Sequence, residues 1–260
     1  MNLEHLARTI SDWIALKVRQ SGARGVVIGL SGGVDSATVM ALSQRALGQR
    51  VLAVIMPCES IEDNAKDALE IAGRFRVPAV TVPLDKPYRQ LVELLPDATQ
   101  TARANLKARL RMAVLYSYAN TLNYLVAGTG NRTEIAVGYF TKYGDGAADI
   151  LPIGGLLKRQ VRELARCLEI PASIIDKTPS AGLWLGQTDE EELGLSYELL
   201  DRVIEALDED REPAVEPQVA AKVKALIEAS HHKRALPPIC PVGSPPTCIG
   251  TALGAAPGRR

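Results

Sequence analysis

The sequence predicts an α/β protein built on a doubly wound parallel sheet with helices on both faces. Three observations predict it. Short, continuously apolar, β-branched runs recur at residues 25–30, 51–56, 79–82 and 123–127. Segments with apolar residues at helical spacing separate them. Two glycine-rich segments, 29–33 and 128–130, fall just after the first and fourth runs. Runs apolar throughout belong to strands covered on both faces, and ligands of such sheets bind beyond the carboxyl ends of their strands.

Each element has a local reason. Leu3, Leu6, Ala7, Ile10, Trp13 and Ile14 repeat at helical spacing over residues 3–18. Gly25-Val26-Val27-Ile28-Gly29-Leu30 reads as a buried strand, and Val34–Leu47 resumes a helical pattern. Val51 to Met56 is the second strand. A helix follows from about Glu62 to Phe75, with Ser60 placed as its N-cap. Ala79 to Val82 is the third strand, a helix-rich stretch runs to Asn120, and Asn123 to Ala127 is the fourth strand. Helices are expected at 156–168, 197–207 and 217–229. Residues 176–194 mix proline, glycine and acidic groups and read as a loop, ending in a capping box at Thr188-Asp189-Glu190-Glu191. The tail beyond 239, rich in Pro and Gly, reads as loosely ordered.

Composition narrows the function classes. The 260 residues suffice for one domain with a sizeable core, and 30 acidic groups balance 30 basic ones. No overall field draws the chain to nucleic acid or to a membrane. The four cysteines form no CxxC pair, so no zinc site is indicated. No apolar run approaches the ~20 residues of a membrane span. The N-terminus carries Glu4, Arg8, Asp12 and Lys17 among its apolar residues and does not read as a signal peptide. A cytoplasmic protein with reduced thiols is expected.

The segment Gly29-Leu30-Ser31-Gly32-Gly33-Val34-Asp35-Ser36 is an anion trap by construction. Glycines let the backbone approach a phosphate, and the N–H groups of the next helix point at it. Ser31 and Ser36 add hydroxyls. Asp35 suits such a place only with a divalent cation between it and the phosphates, as magnesium provides. Walker A and dinucleotide fingerprints do not fit, lacking the lysine and the glycine spacing respectively. A nucleophile elbow does fit, with Ser31, Asp149 and His231 or His232 in chain order, although it leaves Asp35, Ser36 and residues 128–149 without a role.

The loop Ser31 to Ser36 resembles the pyrophosphate loop of the ATP-pyrophosphatases, or adenine-nucleotide alpha-hydrolases, which have a Rossmann-like sheet. Further segments resemble NAD synthetases within that superfamily: Asn105 to Met112, Gly128 to Glu134, Gly138 to Ile150, Lys177 to Leu183, Gly186 to Glu190 and His232 to Arg234. The resemblance spans residues 1–239 and implies a single synthetase domain there. It implies a ligase in which ATP adenylylates the carboxylate of nicotinic acid adenine dinucleotide (deamido-NAD). Ammonia then displaces AMP.

The resemblance also implies roles. Residues 29–36 hold the ATP phosphates, helped by Thr129, Lys158 and Ser180, the last standing where relatives have threonine. Asp35 and Glu134 hold magnesium. Catalysis falls to Asp35, Glu134 and Lys158. Arg109, Lys142, Asp149, His232 and Lys233 meet the dinucleotide. Lys158 opens a helix, where a cation is unfavourable unless an anion faces it. Arg109 and Arg111 lie two apart on a helix and face different ways. Tyr139 and Phe140 either stack on the pyridine ring or belong to the core. Cys58, past a strand end, fits a buried structural thiol or a sulfur-transfer group. A homodimer and a direct ammonia donor are further implications. A tRNA thiolation enzyme, a serine hydrolase using Ser31 and a non-catalytic nucleotide-binding module stay open at this point.

Overall fold

The structure, a computed structural model, describes residues 2–59, 62–184 and 186–240. Ser60 as N-cap, and the tail beyond residue 240, lie outside the described residues.

Helix α1 (Leu3–Ser21) is capped by Asn2 and ends at Gly22 in the left-handed conformation. Its Ala7, Ile10, Ile14 and Val18 share one buried face. Strand β1 (Gly25–Gly29), helix α2 (Val34–Leu47), strand β2 (Val51–Ile55), helix α3 (Glu62–Arg74) and strand β3 (Ala79–Thr81) follow in strict alternation. The helix-rich stretch resolves into α4 (Asp85–Glu93) and the long α5 (Gln100–Leu122), closed by Asn123 at a φ of 54°. Strand β4 (Tyr124–Val126) completes the sheet.

All strand pairs are parallel, in the order β3-β2-β1-β4. Val27 lies beside Leu52 on one side and Val126 on the other. The chain moves outward from β1 to β3 and then crosses back to β4, so the order reverses between β1 and β4. Crevices form at such switch points. Both glycine-rich segments leave strands there, which is how the fold brings them together.

Strand residues alternate between two cores. Val26 and Ile28 join Val51, Ala53 and Ile55 under α1, α2, α3 and α7 (Lys158–Cys167). Val27, Val54, Met56 and Val126 face α4 and α5. A third cluster packs α6 (Arg132–Val137) against α10 (Tyr197–Asp208) and α11 (Pro217–Ala229). Short helices α8 (Ala172–Ile175), α9 (Asp189–Leu193) and α12 (His231–Arg234) join them. Strands and long helices lie within a few residues of expectation. Thr188 caps α9 by accepting the Glu191 N–H, which is half of the expected box. Helices α6, α8 and α12 were not expected, because one turn or so gives periodicity nothing to repeat.

Candidate active site

The loop between β1 and α2 is shaped by its glycines and serines. Gly32 has a φ of 79°, and a Cβ there would stand 2.5 Å from the Asn64 carbonyl oxygen. Only glycine fits both demands. The Ser36 hydroxyl accepts the Ser31 N–H at 3.2 Å and donates to the Gly33 carbonyl at 3.0 Å. Gly33 is the N-cap of α2 and has no side chain to cap it. The first-turn N–H groups of α2 therefore face the crevice as an anion site.

Asp35 stands in that first turn and meets Glu134 at a shared cation. Lys158 Nζ lies 2.5 Å from Asp35 Oδ2 and 3.1 Å from Glu134 Oε1. Lys158 is 3 % exposed. It opens α7, and the two carboxylates are the anions that offset the helix dipole there. Asn131 organises the pair. Its Nδ2 donates to Asp35 Oδ1 at 3.0 Å, while its Oδ1 accepts the Glu134 N–H in a reciprocal capping box.

The Tyr197 hydroxyl reaches Glu134 Oε1 at 3.2 Å and Asp189 Oδ2 at 2.9 Å, and its ring carries the Lys158 ammonium at 4.8 Å. The Tyr139 hydroxyl extends the chain to Asp189 at 3.1 Å and Glu192 at 2.5 Å. Burial pushes the Glu134 carboxyl up to about 7, with Lys158 opposing and Asp35 reinforcing the shift. Burial works against the Lys158 ammonium, but Asp35 and Glu134 outweigh it and raise its pKa. Burial also raises Asp189 and Tyr197.

Asp35, Glu134, Lys158, Tyr139, Asp189 and Glu192 line one cavity of about 490 Å³, with Asn131 and Tyr197 behind them. Its walls include the 29–36 loop, Thr129, Glu134, Lys158 and segment 177–184. That volume lies within the ~300–1,000 Å³ of small-molecule sites.

The family model described as NAD synthase matches residues 6–237. The chain belongs to the NAD synthase family. The NH(3)-dependent NAD(+) synthetase of Carboxydothermus hydrogenoformans is 45 % identical over 244 residues, covering 92 % of this chain and 98 % of the relative. A solved structure of an NMN synthetase from Francisella tularensis superposes with a TM-score of 0.86 at 36 % identity, covering 92 % of this chain and 99 % of that one. An NH3-dependent NAD synthetase from Campylobacter jejuni, in complex with the nitrate ion, gives a TM-score of 0.81 at 31 % identity over 92 % and 99 %. NAD synthetases are ligases that use ATP to form a carbon–nitrogen bond, and the Rossmann-like sheet is that of these synthetases.

Membership sets aside the tRNA thiolation enzyme, and geometry disposes of the hydrolase. The Ser31 hydroxyl meets Ser36 Oγ at 3.1 Å. Asp149 Oδ2 accepts the Val126 N–H at 2.7 Å, and His231 and His232 are exposed on α12. Ser31, Asp149 and these histidines are not assembled as a triad. Cys58 is buried with its thiol pushed up by burial, which fits the structural reading rather than sulfur transfer.

The expected synthetase residues divide into two groups. The whole 29–36 loop, Thr129, Glu134, Lys158, Ser180 and Lys233 line the cavity. Arg109, Lys142, Asp149 and His232 do not. Arg109 Nη2 donates to the Lys142 carbonyl at 3.4 Å, and Lys142 Nζ donates to the His232 carbonyl at 2.5 Å, forming a ridge outside it. The Tyr116 hydroxyl lies 3.4 Å from Asp149 Oδ1, and burial together with Asp149 pushes Tyr116 up to about 12. Lys233 Nζ is held by the Gly138 and Phe140 carbonyls at 2.7 and 2.9 Å. Arg109 is exposed while Arg111 lines the cavity, the division their spacing on one helix requires. Tyr139 and Phe140 both line the cavity, and the Tyr139 hydroxyl is committed to Asp189 and Glu192.

Sequence reasoning missed Asn131, Asp189 and Tyr197. For Asn131 a signal existed, because Asn131-Arg132-Thr133-Glu134 has capping-box spacing. Asp189 was read only as part of a cap. Tyr197 offers no local signal.

Proposed function

We propose that this chain converts deamido-NAD to NAD, with ATP and ammonia as co-substrates, and that the cavity of about 490 Å³ is its ATP site. The observation that carries the reading is the meeting of Asp35, Glu134 and Lys158 beside the phosphate loop. A carboxylate does not accept an amine, because oxide is a hopeless leaving group. Attack of the nicotinate oxygen on the ATP α-phosphorus, with departure of pyrophosphate, makes an acyl-adenylate. Ammonia then attacks the acyl carbon, AMP leaves with the electron pair, and the new amide nitrogen loses a proton.

In this mechanism the α2 N-terminus, Ser31 and Ser36 bind the departing pyrophosphate, and Lys158 lends positive charge to it. Thr129 and Ser180 position the nucleotide from either side. Catalysis is placement and charge, with no covalent nucleophile. The cluster sets Asp35, with Glu134 and Asp189 once they ionise, against one lysine, so it repels a triphosphate unless further cations accompany it. Asp35 and Glu134 supply hard oxygens, the donor type magnesium takes, which in the fold converge on the Lys158 ammonium. The rest of the shell would come from phosphates and water. These residues fit magnesium, and Asp35 and Glu134 would hold it. When bound, it neutralises charge on the phosphates.

One nucleotide fills a cavity of this size, so the second substrate extends beyond it. The ridge of Arg109, Lys142 and His232, with Lys233 at the cavity wall, supplies cationic and hydrogen-bonding groups for its phosphates. In the same reading Asp149 meets its ribose, and a homodimer partner completes that part of the site. Sedimentation at micromolar concentration tests the dimer. Residues 1–239 form one synthetase domain in this proposal. The protein works in the cytoplasm, in keeping with the free thiols Cys167 and Cys240, and cell fractionation checks it. Among the described residues no helix is long and apolar enough to cross a membrane.

A second reading, amidation of the corresponding mononucleotide, is favoured by the likeness to the NMN synthetase. One coupled assay decides. Pyrophosphate release is followed with ATP and ammonia plus either the dinucleotide or nicotinic acid mononucleotide. Dinucleotide-dependent release supports the first reading, and mononucleotide preference replaces it. ATP binding without release from either identifies a non-catalytic module. Equal turnover with glutamine in the pure protein refutes the direct ammonia donor.

A further inference from the structure

Lys107, on α5, is 5 % exposed and has no part in the mechanism above. Its ammonium meets groups from three separate parts of the chain. Nζ donates to the Leu183 carbonyl at 2.9 Å, lies 3.5 Å from Glu59 Oε2, and sits 4.8 Å from the centre of the Tyr88 ring.

Two of these partners are fixed. The Glu59 N–H donates to Asp85 Oδ1 at 2.8 Å, and Arg89 Nε holds Glu59 Oε1 at 3.0 Å. Tyr88 is buried in the core between the sheet and α4. The third partner, Leu183, belongs to segment 177–184, which lines the cavity. A buried ammonium needs an opposite charge and filled donors. Glu59 and the Tyr88 ring compensate the charge without help from Leu183. One N–H is thereby left for a carbonyl.

The same segment has a second anchor. Lys177 Nζ reaches Asn64 Oδ1 and Asp67 Oδ2 on α3, each at 2.6 Å. Ser180 lies between the two anchors and lines the cavity, as does Trp184 beside Leu183. Within the segment, the Leu183 N–H also donates to Gln187 Oε1 at 2.8 Å.

We propose that Lys107 is a positioning residue for the ATP-using half of the reaction, holding Leu183, and through it Ser180 and Trp184, over the nucleotide cavity. It acts through the Leu183 carbonyl and touches no reacting atom. The inference rests on reading that cavity as the ATP site.

The chain has two tryptophans, and the other, Trp13, packs against the core under α1. In a Trp13→Phe background, emission reports Trp184 alone. Emission and acrylamide quenching are measured with and without ATP, beside the KM of each substrate and kcat. Lys107→Met is expected to raise Trp184 quenching and abolish its response to ATP. Loss of one charge-assisted hydrogen bond corresponds to about a ten-fold rise in the KM for ATP. The KM for the second substrate and kcat at saturating ATP should change far less. Should Lys107→Met not fold, Glu59→Gln gives the same readout with a smaller effect in the same direction.

An ATP response that survives either folded variant, with an unchanged KM, overturns the role of Lys107. Equal changes in both KM values together with a lowered unfolding midpoint also overturn it, because they report general damage. No ATP response in the Trp13→Phe protein itself overturns the ATP site instead.

Discussion

Lys158 and Asp35 are 123 residues apart in the chain, and their charged atoms lie 2.5 Å apart in the fold. Glu134 shares the same ammonium at 3.1 Å. One buried cation therefore fixes two carboxylates from different strand ends.

Removing that cation should harm the fold as well as the activity. Lys158→Met leaves two largely enclosed carboxylates facing each other, and breaking a buried pair this way costs about 3–5 kcal/mol. Asp35 and Glu134 side chains keep 17 % and 16 % exposure, which places the loss near the lower figure. Urea unfolding measures it, and pyrophosphate release should drop by about a hundred-fold for lost charge stabilisation. Adding Glu134→Gln should return part of the stability and none of the activity.

Stability should depend on pH through Glu134. Its carboxyl rises from an ordinary 4.5 to about 7 in the fold. Between those values the folded protein holds a proton that the unfolded chain has lost. Stability should therefore fall as pH rises from about 5 to about 7 and then level off. Lys158 is raised from 10.5, so its contribution is complete below that pH and does not shape this window. Urea titrations in EDTA across the window read the slope. A slope unchanged in Glu134→Gln would contradict the assignment.

Asn131→Ala should destabilise by about 1–2 kcal/mol, the worth of a lost N-cap. Asn131 is fully buried, caps α6 and holds Asp35. The magnesium concentration needed for half-maximal activity should rise as well. Wild-type magnesium dependence together with lost stability would leave Asn131 a cap and nothing more.

Gly32→Ala should distort the phosphate loop, since its Cβ would meet the Asn64 carbonyl oxygen at 2.5 Å and its φ is 79°. Strain of this kind is worth about 1–3 kcal/mol. Part of it should appear as a higher KM for ATP, while the KM for the second substrate stays near its value. Calorimetry with a non-hydrolysable ATP analogue checks the loss directly.

The sheet, its parallel sense and the place of the 29–36 loop were legible from neighbouring residues. Continuous apolar runs such as Val26-Val27-Ile28 demand cover on both faces, and a strand–glycine–helix junction exposes N–H groups to anions. Both are local properties of neighbouring residues. The pairing of Asp35 and Glu134 through Lys158, the tyrosines that extend the cluster and the grip of Lys107 on Leu183 were decided by tertiary structure alone. Those contacts join residues whose distance depends on strand order, and buried charge finds its partner only after the cores have closed around it. The separation of Arg109, Lys142 and His232 from the cavity follows from the same cause, since helix and loop packing, not spacing in the chain, sets which cations face which wall.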